Sequence, residues 1–131
     1  MQEIYDFIKE CGCFFIATQD GDQARVRPFG AIEMFEDKIY IACGKLKNVS
    51  KQMAINPKVE IAAIASDNKT WIRLEAVVVE DDRDIARQHM SDAYPNLREN
   101  ATKEEIENFQ VFYLKDIVAS NILMDGKEEV K

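Results

Sequence analysis

Short apolar runs broken by tight polar turns recur along most of this 131-residue chain, a punctuation that points to a meandering antiparallel sheet. Residues 13–18 are almost continuously apolar. Gln19-Asp20-Gly21-Asp22 is a turn centred on an Asp-Gly pair, the strongest short hairpin signal, and an extended segment is predicted beyond it over 24–34. Glu36-Asp37 makes a second turn before residues 38–43, where Ile39 and Ile41 alternate with Tyr40 and Ala42. Two β-branched runs, 58–65 and 70–80, flank the polar turn Ser66-Asp67-Asn68-Lys69, and a last long strand is predicted over 111–123.

Helical spacing is confined to the connections. Ile4, Phe7, Ile8 and Cys11 predict an amphipathic helix over 2–11 that Gly12 ends. Asn48 reads as the N-cap of a helix carrying Val49 and Met53, stopped at Asn56-Pro57 because the residue before a proline avoids the α region. Asp81-Asp82 offers an N-cap for a helix over about 83–93, and Thr102-Lys103-Glu104-Glu105 has the capping-box pattern of another. Six mostly consecutive, hairpin-linked strands predict a mainly β fold, an antiparallel sheet curled into a small barrel with peripheral helices. The length suits one domain, 1–131, whose charged tail, 124–131, is expected to fray.

Composition narrows the functional classes. With formal net charge -7, the chain is a poor match for a nucleic-acid groove. No stretch approaches the ~20 apolar residues of a membrane span. Met1-Gln2-Glu3-Ile4-Tyr5-Asp6 lacks the basic start and apolar run of a secretory signal, so a cytoplasmic protein is expected. A zinc set would need all of Cys11, Cys13, Cys43 and the single His89, so the cysteines read instead as reduced, buried small residues and no metal is expected. His89 reads as a solvated helix position.

Against this acidic background stand two basic clusters, Arg25-Val26-Arg27-Pro28-Phe29-Gly30 and Lys45-Leu46-Lys47-Asn48-Val49-Ser50-Lys51-Gln52. Arg25 and Arg27 share one strand face roughly 6.6 Å apart, with Val26 on the other. Pro28 donates no ladder hydrogen bond and marks an edge or a bulge. Alone, this pair reads first as a solvated strand face with a bulge for curvature. The second cluster runs into a helix start, where lysines oppose the macrodipole and a bound dianion would explain why three gather there; Asn48 and Ser50 add short polar groups. The alternative is a lysine-rich solvated loop. Neither a Ser-His-Asp set, an HExxH, a P-loop nor a GxGxxG is visible, and no catalytic residue is assigned.

The ordered set Phe14-Phe15-Ile16-Ala17-Thr18, Asp20-Gly21, Arg25-Val26-Arg27-Pro28-Phe29, Ile39-Tyr40-Ile41-Ala42, Lys47-Asn48-Val49, Lys51-Gln52, Asn56-Pro57-Lys58-Val59-Glu60 and Trp71-Ile72-Arg73 resembles the pyridoxamine 5'-phosphate oxidase-like FMN-binding split barrels over about residues 3–122. The resemblance implies a six-stranded antiparallel split barrel and a homodimer with FMN at the subunit interface. Arg25, Val26, Arg27, Pro28 and Phe29 would line the ring and ribityl chain, Ala42 and Cys43 would lie near the cofactor, and Lys47, Asn48 and Lys51 would hold the phosphate. Trp71 would approach the flavin or pack in the core or interface. The oxidase's basic and aromatic C-terminal segment has no counterpart in Asn121-Ile122-Leu123-Met124-Asp125-Gly126-Lys127, which argues against pyridoxamine phosphate oxidation. The function expected is therefore that of an FMN-dependent oxidoreductase acting on a small molecule, with NADH or NADPH as a possible donor and no nucleic-acid or membrane partner. The alternative is a flavin-binding electron carrier without turnover.

Overall fold

Period-two patterning places Phe14, Ile16 and Thr18 in the interior while Phe15 between them stays exposed, and residues 58–64 and 71–81 repeat this alternation. In the computed structural model, which describes residues 1–96, 108–122 and 128–130, the elements are α1 (Gln2–Cys11), β1 (Phe14–Asp20), β2 (Gln23–Phe29), β3 (Ile32–Phe35), β4 (Lys38–Gly44), α2 (Asn48–Ile55), β5 (Lys58–Ile64), β6 (Trp71–Asp81), α3 (Asp84–Ala93), β7 (Phe109–Ile122) and β8 (Glu128–Val130). All pair antiparallel in one sheet of order β2-β1-β5-β6-β7-β4-β3, with β8 added on β7. The mainly β expectation holds, with eight strands among the described residues in place of six.

One of the extra strands changes the reading of the whole molecule. The predicted single strand over 24–34 is two strands, and they occupy opposite edges of the sheet. Among the described residues β2 pairs only with β1, as in Phe14↔Phe29, and β3 only with β4, as in Ile32↔Ile41. Pro28 is tolerated because β2 is an edge strand, and Gly30-Ala31 carries the chain across the seam. The apolar pattern runs through this crossing without interruption, which is why sequence periodicity alone joins the two halves.

Other boundaries differ for local reasons. Helix α2 takes Lys47 as its N-cap in place of Asn48, α3 takes Arg83 in place of Asp81-Asp82, and neither has a side-chain cap. Residues 128–130 pair as β8 where fraying was expected. The capping-box segment at 102–105, and the rest of the tail at 123–127 and 131, lie outside the described residues. Gly12 at φ 81 and Gly21 at φ 63 hold left-handed backbone that a side chain would strain, so the two earliest turn signals are correct. Cys13 is exposed and Cys11 and Cys43 are only half-buried, a correction to their reading as buried core residues.

Ile8 of α1, Ile16, Ile39, Ile41, Ile61, Leu74 and Leu114 share the main core, while Ala86 and Met90 of α3 pack with Tyr40 and Val111 in a second cluster. A polar clamp closes that second cluster. The buried Asp81 carboxylate accepts hydrogen bonds from Tyr40 Oη at 2.8 Å and from Arg83 Nε at 2.9 Å, and Arg83 Nη2 reaches Glu36 Oε1 at 2.6 Å. The Arg83 guanidinium is the main cause that holds the Asp81 carboxyl well below its usual range, against the opposing effect of burial. A depressed carboxyl stabilises the fold above its unfolded pKa and loses that contribution as pH falls below about 4. Asp81→Asn should therefore cost about 2–3 kcal/mol at pH 7. In urea titrations the gap to the parent should narrow below pH 4; a gap independent of pH would contradict the clamp.

Candidate functional site

The seam between β2 and β3 is also where the sequence-marked residues collect. Helix α2 packs against β1 and β4 beneath it, and the loop from Gly44 to Lys47 is tied by Lys47 N–H to Gly44 O at 3.1 Å and Lys45 N–H to Asn108 O at 2.7 Å. Two adjoining cavities result. The first, about 600 Å³, has largely carbon walls from Phe29, Ala31, Ala42, Leu46, Val49 and Phe109, with Gly30 and Gly44 leaving backbone open to it. The second, about 710 Å³, lies between the β1–β2 turn and α2 and carries Arg25, Asn48, Lys51 and Gln52. Arg27, Lys47 and Val49 line both, so a largely apolar cavity and a basic one share a wall.

Arg27 is the most constrained polar group here. Its Nη1 donates to Thr18 Oγ1 at 2.8 Å and Ile16 O at 3.3 Å, and its Nη2 donates to Gln52 Oε1 at 2.8 Å. Burial, then the neighbouring Arg25, pushes its pKa down from its usual high value. Cys43 faces the same cavity. Burial pushes its thiol up to about 12 although Lys47 pulls the other way, so the group stays protonated and unreactive at neutral pH. Tyr94 anchors the seam itself: its hydroxyl receives Lys9 Nζ at 2.6 Å and Ile32 N–H at 3.2 Å and donates to Ile32 O at 2.7 Å.

Ten of the eleven sequence-predicted residues meet at these cavities. Pro28, Phe29, Ala42 and Cys43 line the first, Arg25, Val26, Asn48 and Lys51 the second, and Arg27 and Lys47 both. Trp71 does not join them. It lies with Phe15, Ala62, Ala63 and Ile64 around a separate apolar depression of about 300 Å³ on strands β1, β5 and β6. Ser50, expected beside an anion, turns inward, where its hydroxyl donates to Gln110 Oε1. β2 and β4 are not neighbours in the sheet, so Arg27 and Cys43 come together only at the cavity on the open seam.

Sequence reasoning missed Thr18, Gln52 and Tyr94. For Thr18 a signal existed, since a hydroxyl at the same strand parity as Phe14 and Ile16 is a polar group at a core position. Gln52 sits one turn beyond Asn48 in a helix whose inward residues include Val49 and Met53, and nothing in its spacing separates it from an ordinary buried helix position. Tyr94 follows α3 and meets the seam only through tertiary packing.

No family model matches the sequence, and no curated protein does. Solved structures do. A NimC/NimA family protein from Clostridium acetobutylicum is 38% identical, with a TM-score of 0.89 over 99% of this chain and 90% of that one. A general stress protein 26-related protein of the pyridoxinephosphate oxidase family, also from Clostridium acetobutylicum, is 6% identical with a TM-score of 0.74 over 99% and 92% of the two chains. An FAD-binding protein from Mesorhizobium loti is 13% identical with a TM-score of 0.66 over 92% and 93%. Others of the same fold are named for haem storage or haem binding. The chain belongs to the NimC/NimA family, and its fold is that of the pyridoxamine 5'-phosphate oxidase-like split barrels.

Proposed function

We propose that the protein binds FMN across the two cavities, phosphate in the second and ring in the first, and acts as an oxidoreductase on a small molecule. The observation that carries this reading is the shared wall of Arg27 and Lys47 between a largely apolar cavity and a basic one at a helix start. Bound FMN would supply hydride and single-electron chemistry that no side chain here offers. The chain's part is to hold it. Lys47, Lys51 and Asn48 neutralise and bond the phosphate, Phe29, Leu46 and Phe109 exclude water around the ring, and Arg27 opposes negative charge that develops near the junction. The Cys43 thiol keeps its proton throughout.

In this reading a second copy completes the site. Val26 and Ile55, 67% and 88% exposed beside the basic cavity, give the apolar rim that such a contact would cover, and Trp71 would contribute from the outer sheet face. NADH or NADPH is the donor class we expect, and the cytoplasm the compartment. Among the described residues no helix is long and apolar enough to cross a membrane. A second reading, an electron carrier without turnover, is favoured by one feature: the described residues lining the first cavity include no carboxylate or imidazole to move a proton.

Titration of the purified protein with FMN, riboflavin and haemin, read by flavin fluorescence quenching and by absorbance, tests the reading. FMN should bind more tightly than riboflavin, and sedimentation should find the flavin absorbance on a species of twice the 15.0 kDa chain mass. Haemin binding without FMN binding would overturn it. Bleaching of bound flavin by NADPH or NADH, with recovery by an acceptor, would favour the enzyme over the carrier.

A further inference from the structure

Among the described residues, Arg27 makes no ion pair, although it is half-buried in a chain with a large excess of acid. Its three acceptors are a hydroxyl, a side-chain amide oxygen and a main-chain carbonyl. Thr18 and Gln52 are only 3% and 9% exposed, and they bond each other as well, Thr18 Oγ1 donating to Gln52 Oε1 at 2.5 Å. The three side chains thus form a closed ring. Thr18 gives its proton to Gln52 and receives one from Arg27, while the Gln52 oxygen receives from both.

A carboxylate at either position would grip a guanidinium more strongly than these neutral acceptors do. It would also cancel the charge. Neutral acceptors fix the fork's direction and leave a full positive charge at the junction of the two cavities, with Nε–H and one Nη2–H outside the ring of bonds. Arg25, by contrast, is exposed and already paired with Asp20 at 3.2 Å.

We infer that Thr18 and Gln52 are positioning residues that aim Arg27 at the junction between the cavities and preserve its charge for an anionic ligand. The inference rests on the reading of the site as a phosphate-bearing flavin site, but its core is anion affinity and is tested separately. Gln52→Glu introduces a carboxylate of nearly the same shape. It should weaken FMN binding by roughly ten- to a hundredfold while riboflavin changes less than about threefold. Thr18→Val removes the hydroxyl at constant shape and should weaken FMN by about tenfold, and Thr18→Ser should restore it. Inorganic pyrophosphate, titrated by calorimetry, serves as the probe free of any ring.

If the parent protein binds pyrophosphate but no flavin, the flavin reading fails, and the inference stands only if Gln52→Glu weakens pyrophosphate. Equal FMN affinity in parent and Gln52→Glu overturns the inference while leaving the flavin reading intact. Equal losses for FMN and riboflavin overturn it as well, since they would mark Gln52 as a structural residue. A parent protein that binds no anion overturns both. Should Gln52→Glu fail to fold, the Val and Ser pair at Thr18 decides the matter by the same FMN-to-riboflavin comparison.

Discussion

Replacing Lys47 and Lys51 together with alanine is expected to weaken FMN binding by about a hundredfold and riboflavin binding by less than about threefold. The split follows from where the two lysines stand. Both are exposed at the first turn of α2, Lys47 as its N-cap and Lys51 one turn on, and both line the basic cavity. In water each contact to a dianion contributes modestly, on the order of 1 to 1.5 kcal/mol, but in the proposed site the two would act on the same phosphate beside a helix start without a side-chain cap. Riboflavin has the ring and ribityl chain without the phosphate, so it isolates the electrostatic part. Fluorescence titrations of both ligands at two ionic strengths provide the check. Similar losses for the two flavins would mean that the lysines shape the cavity and do not meet a phosphate.

Phe14→Ala is the second large effect, and it acts on the fold and the site together. Phe14 is 1% exposed in the main core, and its ring centroid lies 5.8 Å from that of Phe29, which faces the first cavity. Truncation removes the buried ring and leaves a cavity that the surrounding sheet cannot fully collapse into, costing about 3–5 kcal/mol. Against a total of roughly 5–15 kcal/mol this is severe, a fall in melting temperature of roughly 10 to 20 °C. Phe29 would also lose its backing, so flavin affinity should fall even at temperatures where the variant remains folded. Ile85→Ala, at a residue 58% exposed on α3, serves as the control and should stay within about 0.5 kcal/mol of the parent. A melting point for Phe14→Ala equal to that of the control would contradict the packing described.

What the sequence reveals, and what it conceals, follows the range of the interactions involved. Gly12 and Gly21 punctuate the chain because left-handed backbone is a local demand, and Asn56-Pro57 stops α2 for an equally local reason. The cavity-lining role of Arg25, Arg27, Lys47 and Lys51 is legible because unneeded cations stand out in an acidic chain. The split after Phe29 is only half legible: Pro28 marks the edge, but Phe29, Ala31 and Ile32 continue an apolar pattern while the sheet partner changes from β1 to β4. Ser50 and Asn48 show the same limit at one turn of helix: two short polar residues two apart, one exposed at the cavity and one bonded inside to Gln110. Trp71 is an apolar strand residue whichever surface it serves, and only the tertiary arrangement assigns it to the depression beside Phe15 and Ile64.

The crossing at Gly30-Ala31 has a bearing on how the molecule assembles. The β1–β2 and β3–β4 hairpins are built from neighbours in sequence and need little loop closure, yet neither alone supplies the walls of the first cavity, which draws on β2 and β4 together. Their edges face each other across the seam only after β1 has paired with β5 and β4 has paired with β7, where Ala42 meets Val111. Such distant pairings are the slowest class of contact for a chain to make. The cleft is thus a product of completed topology, owed to no single segment.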